Sequence, residues 1–138
     1  MNWVPLRELL PDMPLPPYFR PSRLLEADGD ALKTLGFQIA VADIGAVSTE
    51  SELLCTLGEA LDFGSGYRAN WDALYDCLGD LLRSGAPSTA LLLRNSSQML
   101  HDMPHEFVRA VHFLSDAVDE VSRDGGTFQF EVLYFGDW

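Results

Sequence analysis

Apolar residues recur along this chain with two periods. Leu53, Leu54, Leu57 and Leu61 fall at steps of three and four, as do Trp71, Leu74, Leu78 and Leu81. Phe107, Val111, Leu114, Val118 and Val121 repeat the pattern. Each stripe predicts an amphipathic helix with one buried side. Between them lie short apolar runs: Phe37–Ala42, the wholly apolar Leu-rich run at 89–93, and the aromatic, β-branched run Thr127–Phe135. These predict strands, and a wholly apolar strand is the mark of one covered on both faces.

Punctuation sharpens the boundaries. A capping box beginning at Ser48 predicts a helix to about Leu61. Asn70 caps the next helix, which runs to about Arg83, after the glycine-bearing loop Asp62–Ala69. Gly85-Ala86-Pro87 makes a turn, Arg94–Gln98 a polar loop, and Pro104 opens a long helix to about Arg123, stopped by Gly125-Gly126. The order from Gly36 is strand, helix, helix, strand, helix, strand. Helical crossovers of this kind favour a small parallel sheet, so the fold class is α/β. No internal repeat interrupts the pattern.

The first 35 residues differ. Six of the eight prolines stand within residues 1–21. Leu10–Pro21 therefore cannot be regular helix or central strand and reads as an extended arm. Leu15, Tyr18 and Phe19 predict that it packs on the domain. Ser22 caps a short predicted helix, Arg23–Leu35, weakened by Gly29. The expected division is an arm at 1–35 and a domain at 36–138.

Composition narrows the function. The chain has 138 residues, is 47% hydrophobic, and carries a formal net charge of −12 with a sequence pI near 4.3. That is one globular domain whose surface repels nucleic acid and anionic membrane and attracts a basic protein. Met1–Pro5 lacks the charged end and apolar core of a signal peptide, and no run would span a membrane, so a cytoplasmic location is expected. Cys55 and Cys77 fall at apolar positions of predicted helices, where two buried, reduced thiols are expected.

The candidate chemistry is a cluster of acids. Asp72, Asp76 and Asp80 stand four apart on the polar side of the second helix, where like charges repel. A solvated face is the ordinary explanation. Against it, Tyr67 and Tyr75 interleave with the acids, Gly64-Ser65-Gly66 makes a flexible loop beside them, and Asp116 and Glu120 form a second outward pair. Aromatics within a charged rim are the anatomy of a protein-binding surface. Trp71 belongs to the apolar stripe. Cys77 is expected to be a packed thiol with its pKa raised by neighbouring carboxylates, not a nucleophile.

Other chemistries find little support. His101, His105 and His112 read as surface or capping residues, with no metal expected. Gly64-Ser65-Gly66 lacks the Lys-Ser/Thr ending of a phosphate loop, and Ser96-Ser97 has no evident base partner. Paired carboxylates could serve glycoside hydrolysis, but no cleft is implied. No enzyme activity and no cofactor are expected.

Tyr67 followed by Asn70-Trp71-Asp72-Ala73-Leu74-Tyr75-Asp76-Cys77-Leu78 resembles the barstar family of intracellular ribonuclease inhibitors, in element order from roughly Gly36 to Tyr134. The resemblance implies a three-stranded parallel sheet packed against helices. It also implies that an acidic helix and its preceding loop plug the cationic active site of a small basic secreted ribonuclease or related toxin. On that likeness Asp76 matches the carboxylate that takes a phosphate position, and Asp72 a second acidic contact. Tyr67, Asn70 and Tyr75 match interface positions, and Asp116 and Glu120 a peripheral acidic pair. Three departures stand out: Gly66 stands where the family has the first of two adjacent tyrosines, Arg68 adds a positive charge at the rim where the family has glycine, and Asp80 adds a negative one. The loop is the part expected to read target identity. The N-terminal arm has no counterpart in the shortest members.

Overall fold

The computed structural model describes residues 5–10, 12–123 and 127–138. The elements, in chain order, are α1 (Leu6–Leu9), β1 (Tyr18–Pro21), a 3-10 turn (Ser22–Leu24) and α2 (Leu25–Thr34). There follow β2 (Gln38–Asp43), α3 (Glu50–Ala60), α4 (Trp71–Arg83), β3 (Thr89–Arg94), α5 (Ser96–Asp102), α6 (Pro104–Arg123) and β4 (Phe130–Gly136). The expected helix stop at Gly125-Gly126 lies outside the described residues.

The sheet has four parallel strands in the order β1-β4-β3-β2, not the three expected. The fourth comes from the proline-rich arm, where Phe19 pairs with Tyr134 and Pro21 closes the strand opposite Gly136. Proline is barred from a central strand because it lacks an N–H, but an edge strand needs hydrogen bonds on one side only. Arg20 of β1 fixes the arm further. Its guanidinium donates to both carboxylate oxygens of Asp28 on α2, at 2.7 and 2.9 Å, and to the Asp12 carbonyl at 3.1 Å. Arg20 and Asp28 are both buried.

The sheet separates two apolar layers. On one side α3, α4 and α6 press Leu57, Leu74, Leu78 and Leu114 against Leu91, Leu93 and Val132. On the other, α1 and α2 press Leu6 and Leu32 against Leu92, Leu133 and Phe135. β3 is covered on both faces, as its apolar run predicts. Gly29 of α2 is buried against the sheet, and a Cβ there would make ordinary contact with Leu92 Cδ1 at 3.5 Å.

Several local expectations need correction. Ser22 makes no capping hydrogen bond to the helix after it. The cap of α3 is Thr49, one residue later than predicted: its hydroxyl accepts from the Glu52 N–H at 3.0 Å, while the Glu52 carboxylate reaches back to the N–H and hydroxyl of Ser48. Arg94–Gln98 is not a continuous loop, because α5 begins at Ser96. Asn95, in the left-handed region at φ 58°, makes the turn into it, and the Ser96 hydroxyl donates to the Leu93 carbonyl at 2.8 Å. Leu15 is 62% exposed and does not pack as expected, whereas Tyr18 is buried and Phe19 touches Phe107, Tyr134 and Trp138. Both cysteines are free, but Cys55 is exposed and Cys77 only half-buried.

Candidate protein-binding site

α4 is positioned at its start. The Asn70 side-chain oxygen accepts the Ala73 N–H at 2.8 Å, which caps the helix as predicted. Trp71 turns inward and stacks on Phe113 of α6 at 4.9 Å. Above the same Phe113 ring, 5.2 Å from its centroid, lies the Arg109 guanidinium. Arg109 in turn grips the Glu50 carboxylate at 2.9 and 3.3 Å. That contact, more than any other, holds the Glu50 carboxyl below its usual range. The Trp71 indole N–H is buried without a hydrogen bond of ordinary geometry, though it lies near enough to Glu50 to help hold that carboxylate down. This array locks the first turns of α3 and α4 to α6. Sequence reasoning missed it, because Arg109 and Phe113 gain meaning only once α6 meets Trp71.

The two tyrosines are anchored inward. The Tyr75 hydroxyl donates to the Phe113 carbonyl at 2.8 Å, tying α4 to α6. The Tyr67 hydroxyl donates to the Leu54 carbonyl at 2.9 Å, and its ring lies against Phe63. Both residues are half-buried, so each offers part of a ring to solvent while its hydroxyl is engaged.

The acids divide into two groups. Asp72 and Asp76 are exposed, one helical turn apart, and among the described residues neither forms an ion pair. Asp116 and Glu120 are exposed on α6. The pairs converge on Tyr75: burial first, and then the charges of Asp116, Glu120 and Asp72, push its hydroxyl up to about 12. Asp76 and Glu120 line one groove between α4 and α6. Asp80 stands apart, drawn to Arg83 at 2.6 Å on the same helix. With side chains 74% and 68% exposed, that pair contributes little stability, but it offsets one charge of the row. His112 Nε2 lies 3.4 Å from Asp116 and becomes its ion-pair partner when protonated.

Arg68 is exposed at the loop side of α4 and forms no ion pair among the described residues. Of the nine residues singled out in the sequence, five are gathered on α4 and α6, namely Asp72, Tyr75, Asp76, Asp116 and Glu120. Tyr67, Arg68 and Asn70 flank them on the loop. The Cys77 thiol is pushed up by burial, then by Asp80 and Asp76, which suits a packed thiol and not a nucleophile. Among the described residues no group of three His, Cys, Asp or Glu side chains is placed to hold a metal ion, and no helix is long and apolar enough to cross a membrane.

The chain is an α/β domain with a parallel sheet and exposed acids on the two adjacent helices α4 and α6. The family model for barstar, the barnase inhibitor, matches residues 37–133. The chain belongs to the barstar family, whose members are inhibitors and not enzymes. Among curated proteins no relative matches it.

Proposed function

We propose that this protein inhibits a small basic ribonuclease, or a related basic toxin, by inserting α4 and the loop 62–69 into its cationic active site. Asp76 and Asp72 take the places of RNA phosphates among the target's Arg, Lys and His side chains. Asp116 and Glu120 meet the rim of the target. The observation that carries this reading is that Asp72 and Asp76, side by side on α4, are exposed and lack any internal cation among the described residues. Leaving like charges unpaired at that spacing costs helix stability, which a cationic partner offsets. The inhibitor unit is residues 36–138, and residues 1–35 are an arm whose strand β1 completes the sheet at one edge. The site of action is the cytoplasm, where a host must protect its own RNA.

Desolvating Asp76 is costly unless the partner's cations repay it, so the pair must form as a unit. The test is titration into a panel of small secreted ribonucleases, reading activity and binding together. A cognate enzyme should lose activity at one-to-one stoichiometry. Charge-paired interfaces, the barnase–barstar pair among them, lose about 2 kcal/mol or more when a hot-spot side chain is truncated, so Asp76→Ala should weaken binding by at least that much. Tight binding that leaves the ribonuclease active would make this a non-inhibitory acidic module instead.

A further inference from the structure

β1 pairs with β4 only from Leu133 to Gly136. The start of β4, Phe130–Val132, therefore has β3 on one side and no strand on the other. A mostly apolar cavity of about 320 Å³ occupies that gap. The Pro5–Arg7 turn, Tyr18 and the Leu114–Val118 side of α6 line it, together with Glu131 and Tyr134 of β4. Its size falls at the lower end for small-molecule sites.

Glu131 is an unusual lining residue. It is 6% exposed and no cation pairs with it among the described residues. Gln129 Nε2 donates to Oε2 at 2.7 Å, while Oε1 has no hydrogen bond among the described residues. The Tyr18 and Tyr134 hydroxyls likewise have none. Glu131 and Tyr18, on the same side of the sheet, thus bring oxygens that could accept a hydrogen bond to one apolar space, and a buried carboxylate without a cation is costly.

We propose that this cavity binds a small organic amine, a protonated amino group on an apolar body, with Glu131 as counter-ion and the Tyr18 hydroxyl as a further acceptor. The apolar wall from α6 and the N-terminal turn covers the body of the ligand. The amino group brings a charge and N–H donors to Glu131 Oε1, which has no hydrogen bond among the described residues. The charged and polar groups near Glu131 are Arg7 from α1, Tyr18 from β1, Asp119 from α6 and Gln129 just before β4; its β3 neighbour Ala90 is apolar. Burial raises the Glu131 carboxyl to about 7, with the Gln129 bond opposing and the Asp119 charge adding. An arriving amine must then displace a proton at neutral pH, so its affinity should rise from pH 6 to pH 8.

The experiment uses the full chain, with 2-phenylethylamine as probe and 2-phenylethanol as its neutral counterpart, followed by calorimetry and NMR at both pH values. Saturable amine binding is expected, at least tenfold tighter than the alcohol and weaker at pH 6. Glu131→Gln should lose at least tenfold for the amine and leave the alcohol unchanged. Ser115→Phe, which fills the cavity from α6, should abolish binding and decides the matter if Glu131→Gln does not fold. Equal binding of amine and alcohol, an amine affinity untouched by Glu131→Gln or Ser115→Phe, or no saturable binding would each overturn the proposal. Ribonuclease inhibition is not read in this assay, so its outcome is independent of the inhibitor reading.

Discussion

Tyr67 lies across Gly58 so closely that a Cβ on Gly58 would stand 2.3 Å from Tyr67 Cε2. With its hydroxyl bonded to Leu54 one turn earlier, the ring lies along α3 and seats the loop that leads into α4. Glycine inside a helix ordinarily costs about 1 kcal/mol relative to alanine. Here the sign should reverse: Gly58→Ala forces the ring away and should destabilise the protein by about 1–3 kcal/mol. Urea unfolding measures it. A more stable Gly58→Ala would show that the loop is not seated on α3.

Tyr75 reports on the convergence of the two acidic helices. Its hydroxyl should titrate near 12, held up by burial and then by Asp116, Glu120 and Asp72. Asp116→Asn should bring that value down, read by ultraviolet absorbance of the phenolate. An unchanged titration would mean that α6 does not bring its acids to α4. Tyr75→Phe should also cost about 1 kcal/mol, since it removes the bond to the Phe113 carbonyl.

Much of this arrangement was legible in the chain, and the gaps have physical causes. The α4 stripe, its Asn70 cap and the acidic row follow from helical period and local hydrogen bonding, which a sequence displays directly. β1 was hidden because a proline-rich run looks incapable of pairing until it is known to lie at an edge. α5 was hidden because Met99 is its one buried apolar residue among polar neighbours. The Asp80–Arg83 pairing and the inward-turned tyrosine hydroxyls depend on side-chain direction, which spacing does not give. The Glu50–Arg109–Phe113–Trp71 array depends on three helices meeting.

Glu131 should make the folded protein lose stability as pH rises. Its folded pKa of about 7 lies above the ordinary 4.5, so the folded state holds a proton that the unfolded chain has released. The stabilising contribution is complete below about 4.5 and falls away as pH climbs through about 7. Across that window the loss is on the order of 3 kcal/mol. Glu131→Gln keeps a neutral side chain at every pH and should abolish this fall relative to the wild type. Parallel stability profiles for the two proteins between pH 4.5 and 8 would show that Glu131 is not desolvated.

The Arg20–Asp28 pair ties the arm to α2 and is buried at both ends. Removing one partner strands the other charge in an apolar setting. Asp28→Ala or Arg20→Ala should each cost about 3–5 kcal/mol. The double replacement Arg20→Met with Asp28→Leu should cost much less than the sum, because it removes both desolvation penalties. Thermal unfolding of the three variants closes the cycle. Additive losses would mean that the pair is not energetically coupled.

Arg68 and Asp116 should have opposite effects on association with a basic target. Both are exposed; on the inhibitor reading Asp116 meets the target's rim, and Arg68 lies on the rim side of the inserted loop. A unit charge about 10 Å from another in water interacts by roughly 0.4 kcal/mol, close to a twofold change in rate. Arg68→Gln removes repulsion and should quicken association about twofold, whereas Asp116→Asn should slow it by a similar factor. Dissociation should change little in either case, since rim charges act on encounter more than on the docked complex. Both effects should fade as the ionic strength approaches 1 M, where the screening length is only about 3 Å. Stopped-flow mixing with a cognate ribonuclease at several salt concentrations reads all of this. A dissociation-rate change that persists at high salt would place Arg68 or Asp116 within the central contact, in place of the rim.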